Sequence, residues 1–267
     1  MKLRPIAGIV LRQIYLLRGS PVRVVPMVTW VAIDIVLWGF ITRYLNTVSG
    51  SGMDFVPTLL GGVLLWDFCT RIMQGVTTAF LEDVWSRNFL NLFASPLSIS
   101  EYIAGLVITS VLTSIIGVIV MVLLATTVFH LQFFSMGLPL VAFLMVLFVF
   151  GISLGIFASA IVLRLGPASE WLLWPLPALV SPFAAVFYPL GVLPHWMQAV
   201  ARVLPPSYVF EGMRVLLAGR PFPGTMLLQG SSVAALELLA AAYFYARVYR
   251  HAVRTGLLAR YSAESVA

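Results

Sequence analysis

Among 267 residues there is one cysteine, Cys69, and one lysine, Lys2, and only 10% of the side chains carry a charge. A lone cysteine excludes an internal disulfide and a thiolate metal cluster. A phosphate-binding loop needs a glycine-rich turn followed by a lysine and Ser or Thr; with Lys2 at the head of the sequence as its only lysine, the chain is no conventional P-loop ATPase. His130, His195 and His251 are too scattered for zinc-ligand or catalytic-triad spacing and read as interfacial polar residues. Charge this sparse cannot cover the surface of a water-soluble domain.

What fills the chain is apolar: 61% of residues are hydrophobic and the mean hydropathy is +1.01. A helix crossing the hydrocarbon needs about 20 such residues, whereas a membrane barrel shows a ten-residue alternation that these Val, Leu, Ile and Phe runs lack. The fold expected is all-α. The net charge of +6 sits mainly at the two ends of the chain beside apolar segments, where it sets topology and meets anionic lipid rather than nucleic acid. Lys2, Arg4, Arg12 and Arg18 are dispersed through the first residues, so no cleavable signal peptide is expected there.

Along the chain, Leu3, Ile6, Ile9 or Val10, Ile14 and Leu17 recur at helical spacing with Arg4, Arg12 and Gln13 largely off the stripe, which predicts an amphipathic interfacial helix within residues 1–20. Gly19-Ser20-Pro21 breaks it. Spans are predicted at Val22–Tyr44, Phe55–Phe80, Glu101–Phe129, Leu138–Leu163, from near Trp171, and at Thr225–Tyr249, with a polar link over Asn46–Asp54. Pro175, Pro177, Pro182 and Pro189 preclude one straight helix in the fifth. The half-apolar segment 191–223 reads as a re-entrant or interface-lying helical pair. With no internal repeat, residues 1–267 read as one domain.

Six spans place both termini on one side, and the weight of arginine there makes that side cytoplasmic by the positive-inside rule. Lys2, Arg4, Arg12, Arg18, Arg23, Arg87, Arg164, Arg247, Arg250, Arg254 and Arg260 stand against Arg43, Arg202, Arg214 and Arg220 opposite. The expected location is the inner, plasma membrane, as a multi-pass protein.

Two blocks stand out between these spans. One is Asn88-Phe89-Leu90-Asn91-Leu92-Phe93-Ala94-Ser95-Pro96-Leu97-Ser98, ahead of Glu101 and Gly105; the other is Pro205-Pro206-Ser207-Tyr208-Val209-Phe210-Glu211-Gly212-Met213-Arg214, ahead of the last span. With the N-terminal amphipathic helix, their order resembles the permease subunit of type-2 ABC exporters over nearly the whole chain. That resemblance implies a chain without catalysis or bound cofactor, a second permease copy, and two separate ATP-binding subunits that hold ATP and Mg. It makes the cytoplasmic loop 82–100 the element coupled to the ATPase, through Glu82, Asp83, Trp85, Arg87, Asn88 and Phe89. It places Tyr208, Glu211 and Arg214 at an outer gate. The cargo it implies is amphipathic: a lipid-linked glycan, a lipid or a drug.

Plainer readings stand beside these. Glu82 to Asn88 also reads as a solvated turn, Glu211 and Arg214 as an i, i+3 pair, and Trp30, Trp38, Trp66, Trp171, Trp174 and Trp196 as interface or packing residues. Asp34, Asp67, Arg71 and Glu237 fall inside spans, where a charge costs a few kcal/mol and turns toward a partner or a wet cavity. Asp34, Arg71 and Glu237 reach similar depth; Asp34 and Arg71 are expected to form a buried ion pair between the first two spans, with Asp67 competing for the same arginine from one helical turn away. A channel or secondary transporter working without an ATPase also accounts for such charges.

Overall fold

The computed structural model describes residues 3–49, 56–86, 91–92, 95–131 and 137–257, and every regular element among them is helical. Helix α1 is Leu3–Gly19 and α2 is Pro21–Ser49. A π-helical turn, Val56–Leu60, leads into α3, Gly61–Trp85. Then come α4, Ile99–Phe129, and α5, Leu138–Leu165. Short helices α6, Leu176–Val180, α7, His195–Ala201, and α8, Pro205–Leu217, precede α9, Gly224–Thr255.

By length and composition, four helical stretches among the described residues suffice to cross a membrane: Val28–Val48 within α2, and α4, α5 and α9. The other two predicted spans take different forms, for identifiable reasons. Helix α3 has 25 residues, about 37 Å at 1.5 Å per residue, and is long enough, but Asp67, Thr70, Arg71 and Gln74 dilute its hydropathy. It is sheltered by protein, packing between α4 and α5. The region expected to hold the fifth span divides into a 3-10 helix, Pro167–Leu173, the five-residue α6, and a second 3-10 turn, Leu190–Val192. Prolines that cannot donate the i to i−4 bond impose these breaks.

Small residues set the contacts of α3. A Cβ at Gly151 of α5 would stand 2.7 Å from the Cys69 carbonyl oxygen, and one at Gly155 would stand 2.8 Å from Val76 Cβ. The two glycines, one helical turn apart, let the backbones touch, as small-xxx-small seams do between membrane helices. On the other flank Gly75 lies against Ser110 of α4, whose hydroxyl donates to the Ile72 carbonyl at 2.7 Å. Helix α9 closes the bundle against α5 and α8.

Helix α1 packs on the first turns of α4, where a Cβ at Gly105 would meet Ile9 at 2.8 Å. Its protein-facing stripe is Ile6, Ile9 and Gln13, all buried, while Leu3, Leu11 and Tyr15 are exposed. The apolar stripe read from periodicity is therefore rotated, and Gln13 and Arg12 turn inward. Their partners lie on α3 and are invisible to a helical wheel drawn for α1 alone.

Candidate functional site: a charged cavity along α3

Successive turns of α3 carry Asp67, Arg71, Gln74, Thr78 and Glu82, and i, i+4 spacing puts them on one face. Because the small-residue seams commit the other faces to α4 and α5, this polar face opens into a cavity of about 760 Å³. Helix α2 contributes Trp30 and Asp34 to its wall, α4 contributes Thr109, Thr113, Ser114 and Gly117, and α1 contributes Gln13 and Leu17. Trp85 and Trp174 complete the lining. Of the tryptophans read as packing or interface residues, Trp30 and Trp174 thus face the cavity; only their turn within the bundle distinguishes them.

Arg71 is held by Asp67 on its own helix: Nε donates to Oδ2 at 2.6 Å and Nη2 to Oδ1 at 3.1 Å. Its stem lies along Gly117, where a Cβ would come within 3.0 Å of Arg71 Cδ. Asp34, half-buried on the facing α2, lines the same space. Three of the four predicted intramembrane charges are thus brought together, with Asp67 as the bidentate partner of Arg71. Glu237 is the exception. It sits on α9, outside the cavity lining, and its Oε2 is buried without a hydrogen-bond partner among the described residues.

At the α1 end of the bundle, neighbouring carboxylates of α3 part company. Glu82 lines the cavity, whereas Asp83 is 1% exposed and ties three helices together. Arg12 Nη2 of α1 approaches Asp83 Oδ1 at 2.5 Å, and the buried Tyr102 hydroxyl of α4 donates to Oδ2 at 2.8 Å. Burial pushes the Asp83 carboxyl above its ordinary range, and the Arg12 guanidinium and Tyr102 hydroxyl pull it back. With its side-chain amide oriented to satisfy both ends, Gln13 donates to Glu82 at 2.7 Å and accepts from Arg12 at 3.2 Å. The sequence marks Arg12 and Gln13 only as off the apolar stripe of the first helix and does not single out Tyr102.

Trp85, expected at the coupling element, donates its indole N–H to Glu170 at 2.6 Å, linking the end of α3 to the 3-10 helix after α5. Arg87, Asn88 and Phe89 lie outside the described residues. The Ser-Pro-Leu-Ser block ends in a capping box: Glu101 N donates to Ser98 Oγ at 3.3 Å, and Ser98 N to Glu101 Oε2 at 3.1 Å. Ser98-x-x-Glu101 has the spacing that such a capping box requires.

At the opposite end, segment 191–223 contains α7 and α8. On α8, Glu211 Oε1 accepts from Leu190 N at 2.6 Å and from Arg214 Nη1 at 3.0 Å. Arg214 Nη2 also donates to the carbonyls of Ala185 and Val186, and Ala185 is held at φ 55°, a left-handed conformation costly for a residue with a Cβ. The pair is therefore more than an isolated surface i, i+3 contact: it clamps the proline-broken segment onto α8. Tyr208 donates to the Arg202 carbonyl at 2.8 Å.

Among the described residues no group of three or more His, Cys, Asp and Glu side chains converges as a metal site. What the described residues offer is a polar cavity between apolar helices. A sequence model of a family described as ABC-2 type transporter matches residues 20–218. No curated protein matches the chain.

Proposed function

The chain belongs to the ABC-2 type transporter family, and from that membership we propose that it is the permease of an ATP-driven exporter. Two copies would work with two separate ATP-binding subunits, which supply the ATP and Mg chemistry; Lys2 as the only lysine leaves this chain no phosphate loop of its own. The observation that carries the reading is the polar face of α3, turned into a cavity among helices whose other faces are apolar. A charge at such depth is kept where it meets water or cargo.

In this reading α2, α3, α4, α5, the broken segment 167–192 and α9 make six crossings, with α1 lying at the cytoplasmic surface and 191–223 at the outer one. Arginine supports that orientation: Arg4, Arg12, Arg18, Arg164, Arg247, Arg250 and Arg254 gather at the α1 end. Loop 82–100 is the ATPase-coupling element. Its displacement would act on α3 directly through Glu82 and Asp83, on α1 through Arg12, and on α4 through the Ser98 cap, so the wall of the cavity moves with the loop. The location is the inner, plasma membrane.

Tagged chain purified from its native membrane is expected to bring down a soluble ATPase in equal copy number, and Glu82→Ala is expected to weaken cargo stimulation of ATP hydrolysis without loss of assembly. A chain that purifies alone and transports down an ion gradient without ATP overturns the reading.

A further inference from the structure

We propose that the cavity along α3 takes an organic cation: a protonated amine carried on an aromatic or aliphatic body. This names the cargo class for the permease reading and rests on it. Among the described residues two carboxylates, Asp34 and Asp67, line the cavity around one guanidinium, Arg71, with Glu82 further along the same face of α3. That guanidinium is already engaged by Asp67 through two hydrogen bonds, at 2.6 and 3.1 Å, so the field presented to a guest is negative.

The second observation is independent of charge. Thr109 and Ser114 line the cavity from α4, are only 4% and 5% exposed, and among the described residues their buried hydroxyl oxygens have no hydrogen-bond partner. A buried hydroxyl without a partner is costly, and a guest with N–H donors removes that cost. The third is the aromatic wall. Trp30 stands one turn before Asp34 on α2, both line the cavity, and Trp30 is 64% exposed; Trp174, 56% exposed, lines it too. Indole faces attract cations most strongly when a carboxylate and partial desolvation accompany them. An anion would meet carboxylates, and a plain hydrocarbon would leave the hydroxyls unsatisfied.

The test uses the full chain in phosphatidylcholine nanodiscs without any ATPase, and fluorescence anisotropy of two dyes on one scaffold, cationic rhodamine 6G and anionic fluorescein, with empty nanodiscs as blank. Rhodamine 6G should bind saturably and more weakly as salt rises, with fluorescein at least about tenfold weaker. Asp34→Asn should weaken rhodamine binding about tenfold, and Trp30→Leu about three- to tenfold. Glu237→Gln, outside the cavity, should leave it unchanged. If Asp34→Asn fails to give a monodisperse protein, Trp30→Leu and Ser114→Ala decide. Equal or tighter fluorescein binding, or rhodamine binding that ignores these cavity substitutions, overturns the proposal. Copurification with the ATPase is read separately: an ATPase partner without cation binding defeats the cargo class alone, and cation binding without an ATPase defeats the permease reading alone.

Discussion

Replacing Arg12 with Met removes the charge that α1 contributes to the junction of three helices. Asp83 is 1% exposed and keeps only the Tyr102 hydroxyl, at 2.8 Å, once the guanidinium is gone. Removing one partner of a buried ion pair costs about 3 to 5 kcal/mol because the other charge is stranded. Two features favour the lower figure, about 3 kcal/mol: the Arg12 side chain is 26% exposed, so the native pair is partly screened, and the abandoned carboxyl can take up a proton. At roughly 2 to 4 °C per kcal/mol for a chain of this size, the apparent Tm falls by about 6 to 12 °C.

Asp83→Asn alone costs about 1 kcal/mol, since Arg12 can turn its open side to water while the amide still accepts from Tyr102. The double substitution Arg12→Met with Asp83→Asn strands no charge and costs about 1 kcal/mol, well short of the sum of the singles. The readout is size-exclusion fluorescence of detergent-solubilised protein after heating at one fixed rate, which keeps irreversible unfolding comparable among variants. Strictly additive losses would refute the claim that Arg12 and Asp83 stabilise each other across α1 and α3.

Gly155→Leu should reduce folded yield sharply, because a Cβ there already stands 2.8 Å from Val76 Cβ and overpacking costs about 1 to 3 kcal/mol, whereas Gly61→Ala, with open space at the Cβ, should be tolerated; equal yields would mean α3 and α5 do not meet at this seam. Arg214→Met should free the 185–190 segment by removing the bonds to Ala185 and Val186 together with the Glu211 pair, seen as faster proteolysis within that segment, and unchanged cleavage would show that the clamp is not what holds it. A cysteine at Val192, 72% exposed, in a Cys69→Ala background should react with a membrane-impermeant thiol reagent from outside, and labelling only from the cytoplasm would reverse the orientation. Ser207, by contrast, is buried and donates to the Ala201 carbonyl at 2.6 Å, so a cysteine there would report burial rather than side.

Membrane residence, helical class and the break after α5 follow from the sequence by itself, since sustained apolar runs have no other solvent and Pro175, Pro177, Pro182 and Pro189 cannot complete a helix. The polar face of α3 was equally legible, because i, i+4 spacing is a property of one helix. Which partner each charge takes is not. Arg71 takes Asp67 of its own helix as its bidentate partner, Glu237 stays outside the cavity lining, and Glu82 and Asp83, adjacent in sequence, meet different neighbours of α3. Periodicity defines a stripe on a helix but leaves free the rotation and axial offset of that helix against its neighbours. Close contacts at Gly75, Gly105, Gly151 and Gly155 set those two quantities here. They turn Arg12 and Gln13 inward and bring Trp30 and Asp34 of α2 to the same cavity wall as Thr109 and Ser114 of α4, and those tertiary choices made a site out of residues that the sequence could only scatter along separate helices.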